Sequence, residues 1–100
     1  MNNSVFNKIF IKFLKDNNAY TKFIHAFRMF NYRRNKNVKD LSLKQILKQR
    51  GHYSPRDIFL DDVIISWTSA PYDFWRDLDE KWLKFYKKNK IYTKYYKISD

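Results

Sequence analysis

Apolar residues return every three or four positions through the first third of the chain. Val5, Phe6, Ile9, Phe10, Phe13 and Leu14 make one broad stripe, and Lys8, Lys12 and Lys15 fall on the other side. That period predicts an amphipathic helix with Ser4 as its N-cap. Asp16-Asn17-Asn18 interrupts the stripe, which resumes at Tyr20, Phe23, Ile24, Phe27 and Phe30. The asparagines mark either a break between two helices or a soft kink in one, because asparagine is a poor helix former rather than a breaker. From Asn31 to Lys39 the period is lost in a polar and basic run, which predicts an exposed basic loop.

The next helix has a clear start. Ser42 followed by Gln45 is a capping box, with Leu41 and Ile46 at the two positions of a hydrophobic staple. Gly51 stands where a left-handed residue would close this helix, and Lys44, Lys48 and Arg50 lie along it. Ser54-Pro55-Arg56-Asp57 predicts another start: serine as cap, proline in the first turn and an acid at the positive end of the dipole. Ile58, Phe59, Val63, Ile64 and Trp67 follow, with Asp61 and Asp62 facing elsewhere, and Thr68-Ser69-Ala70-Pro71 ends that helix and opens the last. There Trp75, Leu78, Trp82 and Phe85 step by three, four and three, a narrow aromatic seam. Acids precede and lysines follow along this helix, an order that suits the macrodipole and offers Asp77–Lys81 and Glu80–Lys84 pairs. Past Asn89 the chain reads as a frayed extension or as a tail that orders on binding. The division is a helical domain over residues 1–90 and a basic Tyr/Lys-rich tail over residues 91–100.

Composition narrows the fold class. One glycine and two prolines in 100 residues leave almost nothing for the positive-φ turns of sandwiches, barrels and phosphate loops. The expectation is an all-α single domain of four or five short helices around an aromatic-rich core, since Phe, Trp and Tyr number 20. The absence of cysteine excludes disulfides and thiolate metal sites. No apolar run approaches the roughly 20 residues of a membrane span, and the start lacks a signal-peptide pattern, so a soluble cytoplasmic protein with no membrane partner is expected.

Charge changes the picture from fold to partner. Residues 1–56 carry a net of +11, residues 57–80 a net of −6, and residues 81–100 a net of +6. Segregation of this kind makes electropositive faces that gather polyanions. The first candidate surface is the loop with Arg28, Tyr32, Arg33, Arg34, Lys36 and Lys39, extended by Lys44, Lys48 and Arg50. Guanidinium forks match phosphate oxygens, and a neighbouring tyrosine can stack on an unpaired base. The plain reading of the same residues is a solvated basic loop. The second candidate interleaves Lys87, Lys88, Lys90, Lys94 and Lys97 with Tyr86, Tyr92, Tyr95 and Tyr96, with Lys87, Lys88, Lys90, Lys94 and Tyr95 as the contact residues. A single-strand groove uses that mixture, although the tyrosines can equally pack back on the core.

Other constellations read as structural. Asp57/Asp61 and Asp73/Asp77 are i,i+4 pairs able to share a cation, but acids in a first helical turn are normally dipole partners. His25 reads as a packed edge residue and His52 as part of a turn, neither with a nucleophile in reach. Trp75 and Trp82 read as core, and Trp67 as the anchor of the turn after it. No nucleophile elbow, Walker loop or dinucleotide fingerprint occurs, so neither an enzyme, a cofactor, a metal nor a small-molecule substrate is expected.

The stretch Phe59…Trp67-Thr-Ser-Ala-Pro71-Tyr-Asp-Phe74-Trp75-Arg-Asp-Leu78-Asp-Glu-Lys-Trp82 resembles a pattern in small uncharacterised phage and prophage proteins. There an aromatic-rich helix ends in Trp, followed by Ser-Pro-Glu-Gly, Phe-Trp, an aliphatic residue and a final Trp. Here Tyr72-Asp73 stands in place of Glu-Gly. The resemblance spans about a quarter of the chain and implies a helical hairpin and a mobile-element origin. The function expected is a non-enzymatic basic protein that engages nucleic acid, RNA or DNA, or a nucleoprotein. The alternatives are a phage-encoded, anti-CRISPR-type inhibitor seated in an RNA-binding channel of a host nucleoprotein, and a small virion or assembly component.

Overall fold

The computed structural model describes residues 3–34, 42–50 and 58–90, the side chains of residues 3, 4 and 48–50 aside. The described residues form five helices and no strand: α1 (Asn3–Asp16), α2 (Tyr20–Arg34), α3 (Leu43–Arg50), α4 (Asp62–Trp67) and α5 (Tyr72–Lys88). The all-α expectation holds. None of these helices is long and apolar enough to cross a membrane.

The stripe of α1 buries Phe6, Phe10, Phe13 and Leu14 and leaves Lys8, Lys12 and Lys15 exposed. Its helix already begins at Asn3, so Ser4 lies inside the first turn rather than capping it. The asparagines after it are a true break. Ala19 N–H donates to the Leu14 carbonyl at 2.8 Å and Asn18 N–H to the Lys15 carbonyl at 3.1 Å. Asn18 takes φ 56 between them, which is a Schellman closure with asparagine where glycine is usual. Ala19 and Leu14, both fully buried, supply the apolar contact that accompanies this closure.

Asparagine recurs at helix ends. Asn17, Asn31 and Asn89 each donate a side-chain N–H to the carbonyl four residues back, on Phe13, Phe27 and Phe85, at 2.8–2.9 Å. The Phe13 and Phe85 carbonyls also accept the backbone N–H of Asn17 and Asn89, so the short amide adds a second donor to a carbonyl that has two lone pairs.

The start of α3 follows its sequence signature. Gln45 N–H donates to Ser42 Oγ at 3.3 Å, and Ser42 N–H donates to Gln45 Oε1 at 2.9 Å. Leu43, Ile46 and Leu47 enter the core. The staple residue Leu41, the closing Gly51 and the start at Ser54–Asp57 lie outside the described residues.

The helix expected to contain Ile58 and Phe59 begins later. Asp61 is its N-cap, extended at ψ 143, and its carboxylate accepts from Val63 N–H at 2.8 Å. Ile58 and Phe59 therefore precede α4, fully buried but non-helical. Phe59 N–H donates instead to Asp79 Oδ1 on α5 at 3.3 Å. This contact fixes the Phe59 ring among Phe10, Phe13, Phe23 and Trp75, at centroid distances of 5.7–6.4 Å.

Thr68 and Pro71 are the C-cap of α4 and the N-cap of α5, as the sequence indicated. The seam of α5 buries Trp75, Leu78, Trp82 and Tyr86, while Phe85 is half-buried. A period of 3.6 carries the stripe to Tyr86, so this tyrosine belongs to the core and not to a basic tail. Trp82 is the centre, with Phe10 and Phe13 at 4.9 Å, Phe85 at 5.7 Å, Phe6 at 6.1 Å and Tyr86 at 6.2 Å. Burying each large side chain contributes roughly 1.5–3 kcal/mol. The Trp75 indole N–H is buried with no acceptor among the described residues.

Candidate nucleic-acid interface

The polar run after Phe30 is not a loop at first. Helix α2 continues to Arg34, and Asn31 is buried with its amide on the Phe27 carbonyl. Keeping this turn helical sets Tyr32, Arg33 and Arg34 in fixed directions. Tyr32 is 43% exposed, and both arginines are exposed.

Each arginine lies over a ring. The Arg34 guanidinium carbon is 5.2 Å from the centroid of Phe30, one turn earlier on the same helix. That of Arg33 is 5.1 Å from the centroid of Trp67, the last residue of α4. Phe30 meets Trp67 edge-on at 5.9 Å and 75°. Two cations and two rings thus interlock where α2 packs against α4. A guanidinium over an aromatic face is held by the ring quadrupole while its five N–H donors remain available to oxygen acceptors. The helix end supplies about half a negative charge, and two guanidinium charges outweigh it.

Beside this group lies a shallow surface depression of about 510 Å³, lined by His25, Arg33, Ser66, Trp67, Thr68 and Ser69. His25 is exposed, in contrast to the packed edge position expected of it. Trp67 does adjoin the turn, where Thr68 Oγ1 accepts from Ala70 N–H at 3.2 Å. Its ring, however, reaches across to α2. Sequence reasoning missed Trp67 because only the packing of α4 on α2 brings it to the arginines, and missed His25 because the helical turn that puts Arg33 on the same α2 reads as loop from sequence alone.

The other candidate residues distribute as follows. Arg28 is half-buried on α2 and engaged within the protein. Lys44 is exposed on α3, and Lys48 and Arg50 belong to the same helix. Lys87, Lys88 and Lys90 are exposed where α5 ends, with Lys90 at φ 48. That end borders α1 rather than α4: Phe85 meets Phe13 at 5.5 Å. Lys36, Lys39, Lys94 and Tyr95 lie outside the described residues.

A second cavity, of about 520 Å³, opens between α1 and the end of α5 over Ile9, Phe13 and Phe85. Its rim charges pair with each other, Lys12 to Asp16 at 2.7 Å, which leaves it little to recognise a charged ligand. Three acids of α5 are engaged: Asp73 and Asp77 pair with Arg76 at 3.4 Å and 3.6 Å, and Asp79 accepts from Phe59 N–H. No group of three or more His, Cys, Asp or Glu residues converges as a metal site among the described residues. No protein family, curated protein or solved structure matches this chain.

Proposed function

We propose that this protein is a non-enzymatic nucleic-acid-binding module that works through phosphate contacts on the surface around Arg33 and Arg34. The observation that carries this reading is the pair of exposed guanidinium groups placed over the rings of Trp67 and Phe30. Contact with a ring restrains two otherwise mobile side chains, so less entropy is lost when their donors take up phosphate oxygens. Tyr32 adds an exposed ring on the same turn of α2, and the net charge of +11 favours any polyanion at long range. A mobile-element origin, implied by the likeness of the Trp67–Trp82 hairpin to phage proteins, belongs to the same proposal.

Titration with labelled single-stranded RNA, single-stranded DNA and duplex DNA at low and physiological salt tests this. Binding is expected to persist at physiological salt. The double substitution Arg33→Gln and Arg34→Gln should flatten the slope of log K against log salt by about 1.4–1.8, two phosphate contacts' worth. Binding that vanishes at physiological salt, or a slope unchanged by the substitutions, overturns it. The charge would then be a steering device for a protein partner, as a phage-encoded inhibitor of a host nucleoprotein requires.

A further inference from the structure

We propose that the depression beside Trp67 seats an unstacked base of a single-stranded nucleic acid, with Arg33 holding the adjoining phosphate. The inference rests on the nucleic-acid reading above and adds to it a preference for single strands.

Three observations combine. Trp75 and Trp82 are fully buried, whereas Trp67 is only half-buried and lines a surface depression. Phe30 meets the indole edge-on at 5.9 Å and 75° and restrains it. Arg33 lies over the indole at 5.1 Å and both residues line the depression, so a base entering it meets an aromatic ring with phosphate donors beside it. Bases stack on both kinds of plane, and the gain is tolerant of sequence because every base has a π-face.

The lining fits the same ligand. Ser66 and Ser69 are exposed hydroxyls and His25 is an exposed imidazole, groups that both donate and accept and so do not demand one base edge. A duplex keeps its base faces inside the stack and can offer this surface only phosphates.

The three tryptophans make the experiment direct. Intrinsic fluorescence should be followed while the protein is titrated with oligothymidylate, oligouridylate and a duplex of equal length, at physiological salt. Either single strand should quench the accessible indole and bind about tenfold more tightly than the duplex, the scale of one base–aromatic stack. Trp67→Phe should keep the preference and abolish the quench, since Trp75 and Trp82 are shielded. Trp67→Ala should lose the preference while duplex affinity holds, and Lys12→Gln, which removes a charge elsewhere on α1, should keep both preference and quench. Equal binding of all three polymers without a quench overturns the base seat and leaves the phosphate reading standing. A quench that survives in Trp67→Phe overturns the assignment to Trp67. Failure to bind any polymer overturns both proposals together.

Discussion

The molecule has two aromatic groups of the same residue types and opposite construction. Around Trp82, ring packs on ring from α1 and α5 until the indole is fully buried. Around Trp67, one neighbour is a ring and another is a cation, Phe30 edge-on to the indole and Arg33 over it. The first arrangement excludes water from every side. The second brings charge to the rings and leaves polar edges at the surface. An aromatic-rich composition therefore serves two ends here, and the neighbour of each ring decides which.

The comparison breaks most visibly under truncation. Trp82→Ala should destabilise by about 3–5 kcal/mol, because five rings lose their common partner around a cavity. Trp67→Ala, at a surface site, should cost less than half as much. Paired urea titrations check this, and equal losses would show that the Trp67 group is core after all. A smaller effect is expected from Asp79→Ala. It strands the N–H of the buried Phe59 and should cost about 1–3 kcal/mol, with Asp79→Asn, which keeps an acceptor, losing less. The smallest change sharpens the surface side. Arg33→Lys retains the charge but not the planar stack, so stability should fall by no more than about 1 kcal/mol. Single-strand affinity should fall with it at constant net charge, and unchanged affinity would mean that charge alone binds.

Much of the scaffold was legible because its signals are local. The apolar period of α1 and α5, the Ser42–Gln45 box and the Thr68–Pro71 turn depend on residues a few positions apart. Where polarity was taken for irregularity, the reading failed. Asn31, Tyr32, Arg33 and Arg34 look like loop residues, yet Asn31 spends its amide on the Phe27 carbonyl and the arginines cover rings. The Ser54-Pro55-Arg56-Asp57 signature points to a start before Ile58 and Phe59, whereas α4 begins at Asp62. Their backbone is held by Asp79, a residue distant in sequence. Arg33 and Arg34 were identifiable as phosphate-binding types from the chain alone. Trp67 was not, since its place beside them depends on α4 meeting α2.

The central contact also has a consequence for biosynthesis. Phe6, Phe10 and Phe13 are made early, Phe23 and Phe59 reach Phe10 in turn, and Trp82, which touches all three, follows much later. Until then the apolar face of α1 is only partly covered, a state in which nascent chains associate with whatever apolar surface is near. Chains stalled before residue 82 should therefore be far more dependent on chaperones than the finished protein, and release of α5 is the event that ends that dependence.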